Sequence, residues 1–237
     1  MCENLKWCVT LDSRTIPRLL STWRSTLTIH TPKSRQAFAD LLRPRGLTPD
    51  IVERALGIGA AESRTYGPGA PKAAPEYNRW ARTIEALHGG LMTSDFGWER
   101  FDPKNLPFFL LPGSKLGLLV SSGNQFTGVA YANPSNRNPK GVSFGRLVDD
   151  NGQMSFFGAV SQDGSGVEAK ETWVVLYQER NDVVYAELSL PVSMPKGHVR
   201  DWRDRIIFPQ YDVSTSRFIT TEDEQDQDDF AFAIARR

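Results

Sequence analysis

The sequence predicts an α+β fold: an N-terminal helical segment followed by a predominantly antiparallel β-sheet domain, curled as a sandwich or half-barrel. Three observations predict it. Apolar residues between positions 31 and 90 recur at helical spacing behind Ser/Thr and Pro start signals. From Leu106 onward, short apolar runs alternate with Gly, Asn, Pro and Asp clusters at intervals of roughly 8–14 residues, a strand-and-turn texture. Within Glu171–Pro209, two β-branched runs flank Asn181-Asp182, as in a hairpin.

The helical segment is expected over residues 1–90. Thr31-Pro32 starts a helix through SRQAFADLLRP, with Ala37, Leu41 and Leu42 as its apolar stripe. Thr48 caps a second, with Pro49 in its first turn, Ile51, Val52, Ala55 and Leu56 on one face, and Gly57 and Gly59 as its end. Arg43-Pro44-Arg45-Gly46 joins the two. An ordinary helical hairpin is a commoner outcome of this arrangement than a DNA-reading helix-turn-helix. Residues 63–75, SRTYGPGAPKAAP, lack periodicity and form a Gly/Pro-rich linker. A third helix follows, carrying Trp80, Ile84 and Leu87 and stopping at Gly89-Gly90.

Residues 91–237 are expected to form the β-rich domain. Its strands are LPFFLLP, KLGLLVSS, QFTGVAYA, VSFGRLV, MSFFGAV, TWVVLYQE and VVYAELSLP, with a short helix near 198–205 and a C-terminal strand in DFAFAIARR. A two-residue turn at Asn181-Asp182 sets the register. Trp173 then opposes Leu190, Val175 opposes Leu188 and Tyr177 opposes Ala186, making one apolar face. The other face pairs Val174 with Ser189, Leu176 with Glu187 and Gln178 with Tyr185, so Glu187 projects from a mixed face.

Composition narrows the function classes. A chain of 237 residues buries roughly 70–75% of its unfolded surface and needs neither disulfide nor metal to fold. Its 28 basic and 28 acidic residues balance, so average charge makes no case for a polyanionic partner. The distribution is uneven: residues 1–85 are modestly basic, and Glu222–Asp229 holds six acids and no base. Cys2 and Cys8, with no histidine near, have neither zinc-site nor disulfide-framework spacing and read as free thiols. No apolar run approaches the ~20 residues that span a bilayer, and MCENLKWCVTLDSR lacks a secretory pattern. The expectation is a soluble, cytoplasmic protein without membrane contact.

Two segments carry candidate binding residues. SSGNQFTG and NPSNRNPKG (residues 121–128 and 133–141) are small and amide-rich, with Asn124 and Asn136 able to shape turns and Arg137 and Lys140 supplying positive charge for a polar ligand or nucleic-acid backbone. GHVRDWRDR (residues 197–205) offers Arg200, Trp202 and Arg203. Arg/Trp clusters hold phosphates and stack on bases, whereas a helix here would pair Arg200 with Asp204 and Asp201 with Arg205. No P-loop, GxSxG elbow or histidine pairing is present.

A third constellation has catalytic form. Glu168-Ala169-Lys170 puts an acid and a lysine on one strand face, downstream of Asp150 and Asp163. It resembles the core of PD-(D/E)xK nucleases, in which carboxylates hold Mg²⁺ and the lysine positions water; the resemblance implies Mg²⁺-dependent cleavage of nucleic acid. Gly164-Ser165-Gly166 places the triplet beside a loop, so solvated loop charge is the competing reading. Glu187 lies ~20 Å from Lys170 along the sheet and cannot complete such a site.

With no catalytic constellation above chance and with charge segregated along the chain, the favoured expectation is an accessory or binding module in a larger assembly. Its partner is another protein subunit, with nucleic acid as a shared target in a bacterial defence-like setting, and it uses no cofactor or metal. The alternative is the Mg²⁺-dependent nuclease with Asp150, Asp163, Glu168 and Lys170; a phage structural protein is the further alternative.

Overall fold

Side-chain caps open the first two helices. Ser34 Oγ accepts from Ala37 N at 3.1 Å and starts α1 (Arg35–Leu42), two residues beyond the Thr31-Pro32 signal. Thr48 Oγ1 accepts from Ile51 N at 3.4 Å and starts α2 (Pro49–Ser63), with Pro49 where its missing N–H is harmless. The computed structural model describes residues 26–152, 169–215 and 217–219.

α2 does not stop at Gly57 and Gly59. It runs on to Ser63 because Gly59 sits where α2 meets α3 (Ala74–Met92). A Cβ at Gly59 would stand 2.0 Å from Thr83 Oγ1 and 2.9 Å from the Arg79 carbonyl, so a bare backbone is what this approach requires. Residues 64–73 connect the two helices. α3 passes through Gly89-Gly90 and ends at Met92.

Among the described residues, nine strands form one sheet: β1 (Thr28–His30), β2 (Glu99–Phe101), β3 (Phe108–Leu111), β4 (Leu116–Ser122), β5 (Glu171–Arg180), β6 (Val183–Ser193), β7 (Asp201–Ile207), β8 (Gln210–Asp212) and β9 (Arg217–Ile219). The order is β1-β7-β6-β5-β4-β3-β2, with β8 on the far end of β6 and β9 on β8. Pairing is antiparallel except β1 with β7 and β4 with β5. The fold is therefore α+β, with helices ahead of a mixed, mostly antiparallel sheet that does not close. No helix among the described residues is long and apolar enough to cross a membrane.

The β5–β6 hairpin has the register read from the sequence. Val175 faces Leu188, Tyr177 faces Ala186, and Leu176 faces Glu187. Asn181 and Asp182 both have positive φ (50° and 65°), the conformation a tight two-residue hairpin turn demands. Arg64 ties the helical layer to this turn by reaching Glu179 at 2.7 Å and Asp182 at 2.8 Å.

Two apolar cores lie on opposite faces of the sheet. On the first, Phe38, Val52, Leu56 and Leu87 of the helices pack against Trp173, Val175, Leu188 and Ile206. On the second, α4 (Val142–Gly152) covers Leu119, Val174, Leu176 and Trp202 through Phe144 and Val148. Every residue of β4 is buried; Leu118 joins the first core and Leu119 the second. Burying each leucine contributes about 1.5–3 kcal/mol.

Three expected elements differ. VSFGRLV is not a strand: β4 and β5 lie parallel, the chain must cross over between them, and α4 lies in that crossover, with Phe144 and Val148 at helical spacing. QFTGVAYA forms successive turns. The helix expected near 198–205 is strand β7, paired along β6 from Glu187↔Ile207 to Ser193↔Asp201 with a bulge around Pro191. Long-range pairing overrides the local charge alternation there, and neither Arg200–Asp204 nor Asp201–Arg205 pairs as in a helix. The strands expected in MSFFGAV and DFAFAIARR lie outside the described residues.

Candidate functional site: a groove at the β1–β7 edge

Glu187, expected on a mixed face, is fully buried beneath the second face, and so is Arg205 of β7. Arg205 Nη2 donates to Glu187 Oε2 at 2.6 Å and Nε donates to Oε1 at 3.3 Å, a two-pronged ion pair. Three of their four remaining hydrogen bonds go to one segment of chain. Arg205 Nη1 donates to the Ala132 carbonyl at 2.8 Å, and Nη2 to the Val129 carbonyl at 3.1 Å. Glu187 Oε2 accepts from Gly128 N at 3.1 Å, and its Oε1 from Ser189 Oγ at 3.1 Å. A buried pair of this kind contributes little net stability, because desolvating each ion costs several kcal/mol. What it does here is fix the backbone of residues 128–132, which have no ladder of their own.

The rest of the loop between β4 and α4 is pinned in the same manner. Asn136 is almost wholly buried. Its Nδ2 donates to the Asn138 and Gly197 carbonyls at 2.7 and 2.8 Å, and its Oδ1 accepts from Val199 N at 2.8 Å. Trp202 Nε1 donates to the Pro134 carbonyl at 2.9 Å, and Asn133 Nδ2 to the Arg200 carbonyl at 2.7 Å. Arg180 donates to the Gln125 and Thr127 carbonyls while lying 3.6 Å over the Tyr185 ring. The two polar segments singled out in the sequence, residues 121–141 and 197–205, are thus built into one body.

That body forms one wall of a groove of about 780 Å³ whose other wall is the outer end of β1. Tyr131, 96% exposed, stands on the braced turn between the two carbonyls held by Arg205. Leu27 and Ile29 present apolar surface opposite, 42% and 37% exposed. Arg200, Arg203 and Asp201 supply the charges lining the groove. Arg203 reaches Glu171 at 3.5 Å, whereas the exposed Arg200 guanidinium has no carboxylate within ion-pair distance among the described residues. Ile29 pairs with Arg205 in the β1–β7 ladder, so the groove and the buried ion pair share a face.

The sequence-selected binding residues separate by role. Arg200 and Arg203 line the groove, and Trp202 lies under it as a buried part of the second core. Asn136 is a structural brace. Asn124 shapes a turn, its Oδ1 accepting from Phe126 N at 3.1 Å. Arg137 faces Glu76 of α3 at 3.8 Å. Lys140 is half-buried, its ammonium 6.0 Å over the Phe144 ring, and desolvation lowers its pKa from the ordinary lysine value. The pinned loop thus holds Asn136 inside it, while Lys140 stays half-exposed at its end.

Of the nuclease-type residues, Asp150 and Lys170 are described; Asp163 and Glu168 lie outside the described residues. Asp150 sits in the last turn of α4. Burial raises the pKa of its carboxyl from the ordinary value, with the Asp149 charge adding to this. The adjoining Asn151 clasps β5 and β6: Nδ2 donates to the Thr172 and Pro191 carbonyls at 2.8 and 2.9 Å, and Oδ1 accepts from Thr172 N at 2.7 Å. This clasp brings the end of α4 to the start of β5, where Lys170 is exposed. Among the described residues, no three His, Cys, Asp or Glu side chains gather as a metal site.

Comparison with protein-family models, curated proteins and solved structures finds no match to this chain. The groove is read from its own chemistry.

Sequence reasoning missed Tyr131, Leu27, Ile29 and the Glu187–Arg205 pair. A signal existed for the pair. Glu187 and Arg205 are charges set within apolar strand runs (VVYAELSLP and RIIFP), and a hairpin register extended by one more strand brings them together.

Proposed function

We propose that the protein is an accessory binding module of a larger assembly and that it works through the groove between β1 and the 128–133 turn. One observation carries this reading. A fully buried arginine–glutamate pair is committed to fixing a turn whose outward product is a tyrosine in open solvent. No packing contact among the described residues calls for that tyrosine, and exposed aromatics on braced loops are contact residues. Arg200, without a carboxylate partner among the described residues, and the partly exposed Leu27 and Ile29 add to the same surface. The assembly partner is another protein subunit, with nucleic acid as a target the assembly shares.

The test is purification of the native protein beside the double variant Tyr131→Ala/Arg200→Ala. Both side chains are exposed, so the variant keeps the wild-type circular dichroism and melting temperature. The reading expects a stoichiometric companion with the wild type and its loss in the variant. An unchanged companion, or a protein that purifies alone under gentle conditions, overturns it.

A second reading starts from the Asn151 clasp, which joins the last turn of α4, where Asp150 lies, to Thr172 near the start of β5, two residues after Lys170. In that reading Asp150, Asp163, Glu168 and Lys170 form a Mg²⁺-dependent nuclease centre. Incubation with DNA and RNA, with and without Mg²⁺ or Mn²⁺, separates the two. Metal-dependent cleavage abolished by Glu168→Ala would establish the nuclease.

A further inference from the structure

We infer that the groove takes single-stranded nucleic acid, with Tyr131 as a stacking platform for a base and Arg200 and Arg203 as contacts to the phosphates. This rests on the binding-module reading and assigns the groove to the nucleic acid that the assembly shares, contact with the protein subunit being the outcome the test separates from it.

The inference starts from the pairing of chemistries. Tyr131 offers a whole aromatic face to solvent, while its backbone is held on both sides by Arg205. With the backbone held before the ligand arrives, only the ring's own rotamers remain to be ordered on binding. Two guanidiniums line the same groove against one carboxylate, Asp201, and of the two Arg200 is unpaired among the described residues. A polymer alternating planar bases with phosphates satisfies both features at once. An acidic peptide would satisfy the arginines and leave the tyrosine face bare. A duplex keeps its base faces stacked inside and offers Tyr131 nothing to stack on, so the strand must be single.

The balanced charge of the whole chain is no obstacle, because recognition needs local phosphate contacts. Two such contacts predict weak binding with a shallow salt dependence. Of the groove's other polar side chains, Asn151 is committed to its clasp, and Asn133 and Ser193 are suited to sugar and base edges as donors or acceptors.

Fluorescence anisotropy with a labelled oligothymidylate of about 15 nucleotides, and a duplex of equal length, tests this. The expected result is binding of the single strand in preference to the duplex. Tyr131→Ala lowers the affinity roughly ten-fold or more, and Tyr131→Phe, which keeps the ring, restores it. Between about 50 and 200 mM salt, log K falls linearly with log[salt], and Arg200→Ala reduces that slope by about 0.7. Tyr131→Ala leaves the slope unchanged. No binding by the wild type, equal binding of duplex, or indifference to Tyr131→Ala overturns the inference. If the oligonucleotide fails while the Tyr131→Ala/Arg200→Ala variant still loses its protein companion, nucleic acid is excluded and the module reading stands. If neither depends on these residues, both fall. Strand cleavage during the titration, abolished by Glu168→Ala, would assign the contact to the nuclease reading instead.

Discussion

Replacing Glu187 by Gln keeps the size of the side chain and removes one charge from the sealed interior of the second face. Arg205 would then be a buried cation with only carbonyl and amide partners. Four hydrogen bonds end on the Glu187 carboxylate: two from Arg205, one from Ser189 Oγ and one from Gly128 N. Removing one member of such a pair costs about 3–5 kcal/mol. That is a large part of the 5–15 kcal/mol typical of folded domains. With a urea dependence of about 1–3 kcal/mol per molar, the midpoint of unfolding falls by at least about 1 M. The double variant Glu187→Leu/Arg205→Met isolates the role assigned to the pair. Replacing both charges by apolar groups leaves global stability near wild type or above it, but frees the carbonyls of Val129 and Ala132 and the amide of Gly128. Hydrogen exchange at residues 128–133 should therefore accelerate in the double variant while the hairpin amides of β5 and β6 stay protected. The reasoning fails if Glu187→Gln shifts the midpoint by less than about 0.3 M, or if the double variant is as unstable as the single one.

Gly59→Ala drives a methyl group to 2.0 Å from Thr83 Oγ1 and 2.9 Å from the Arg79 carbonyl, so α2 and α3 must part; thermal unfolding should show a loss of about 1–3 kcal/mol. Asn151→Ala removes three buried hydrogen bonds that join α4 to β5 and β6. Urea titration should show a loss of about 2–4 kcal/mol, since Thr172 N and the two carbonyls are left without that partner. The Asp150 carboxyl lies above its ordinary value of 3.8 in the folded state, so folding favours its protonated form. Its contribution is fully present below that ordinary value and is lost as pH rises through the raised folded value. Asp150→Asn should remove this slope from stability measured across the acidic range, and an unchanged slope would show that Asp150 is not its source.

How much was legible depended on the range of the interactions involved. The β5–β6 hairpin was readable because its turn residues and its two alternating runs are adjacent, so local chemistry and pairing agree. α4 and β7 were misread for the opposite reason. Val142–Val148 has the residues of a strand, but the parallel β4–β5 pair needs a crossover, and that requirement is visible only once β4 and β5 are known to be neighbours. Residues 201–205 alternate Asp and Arg at helix-compatible spacing, and only β6 on one side and β1 on the other make them a strand. At the site, Arg200 and Arg203 were found from composition. Tyr131 was hidden inside a run read as a strand, GVAYA. Its exposure depends on Arg205, more than seventy residues away in the chain.

Among the described strands, β1 joins the sheet across the longest span of chain, with Thr28 beside Asp204 and three residues in the ladder. Closing so distant a contact is entropically slow, and so few rungs hold it weakly once closed. It should be the last strand to zip in during folding and the earliest to peel away under native conditions. Peeling takes Leu27 and Ile29 with it and leaves the braced tyrosine turn in place, because Arg205 and Glu187 belong to β7 and β6. One wall of the groove is then hinged to a rigid one, which lets a single cleft widen for ligands of different bulk while the body of the protein stays folded.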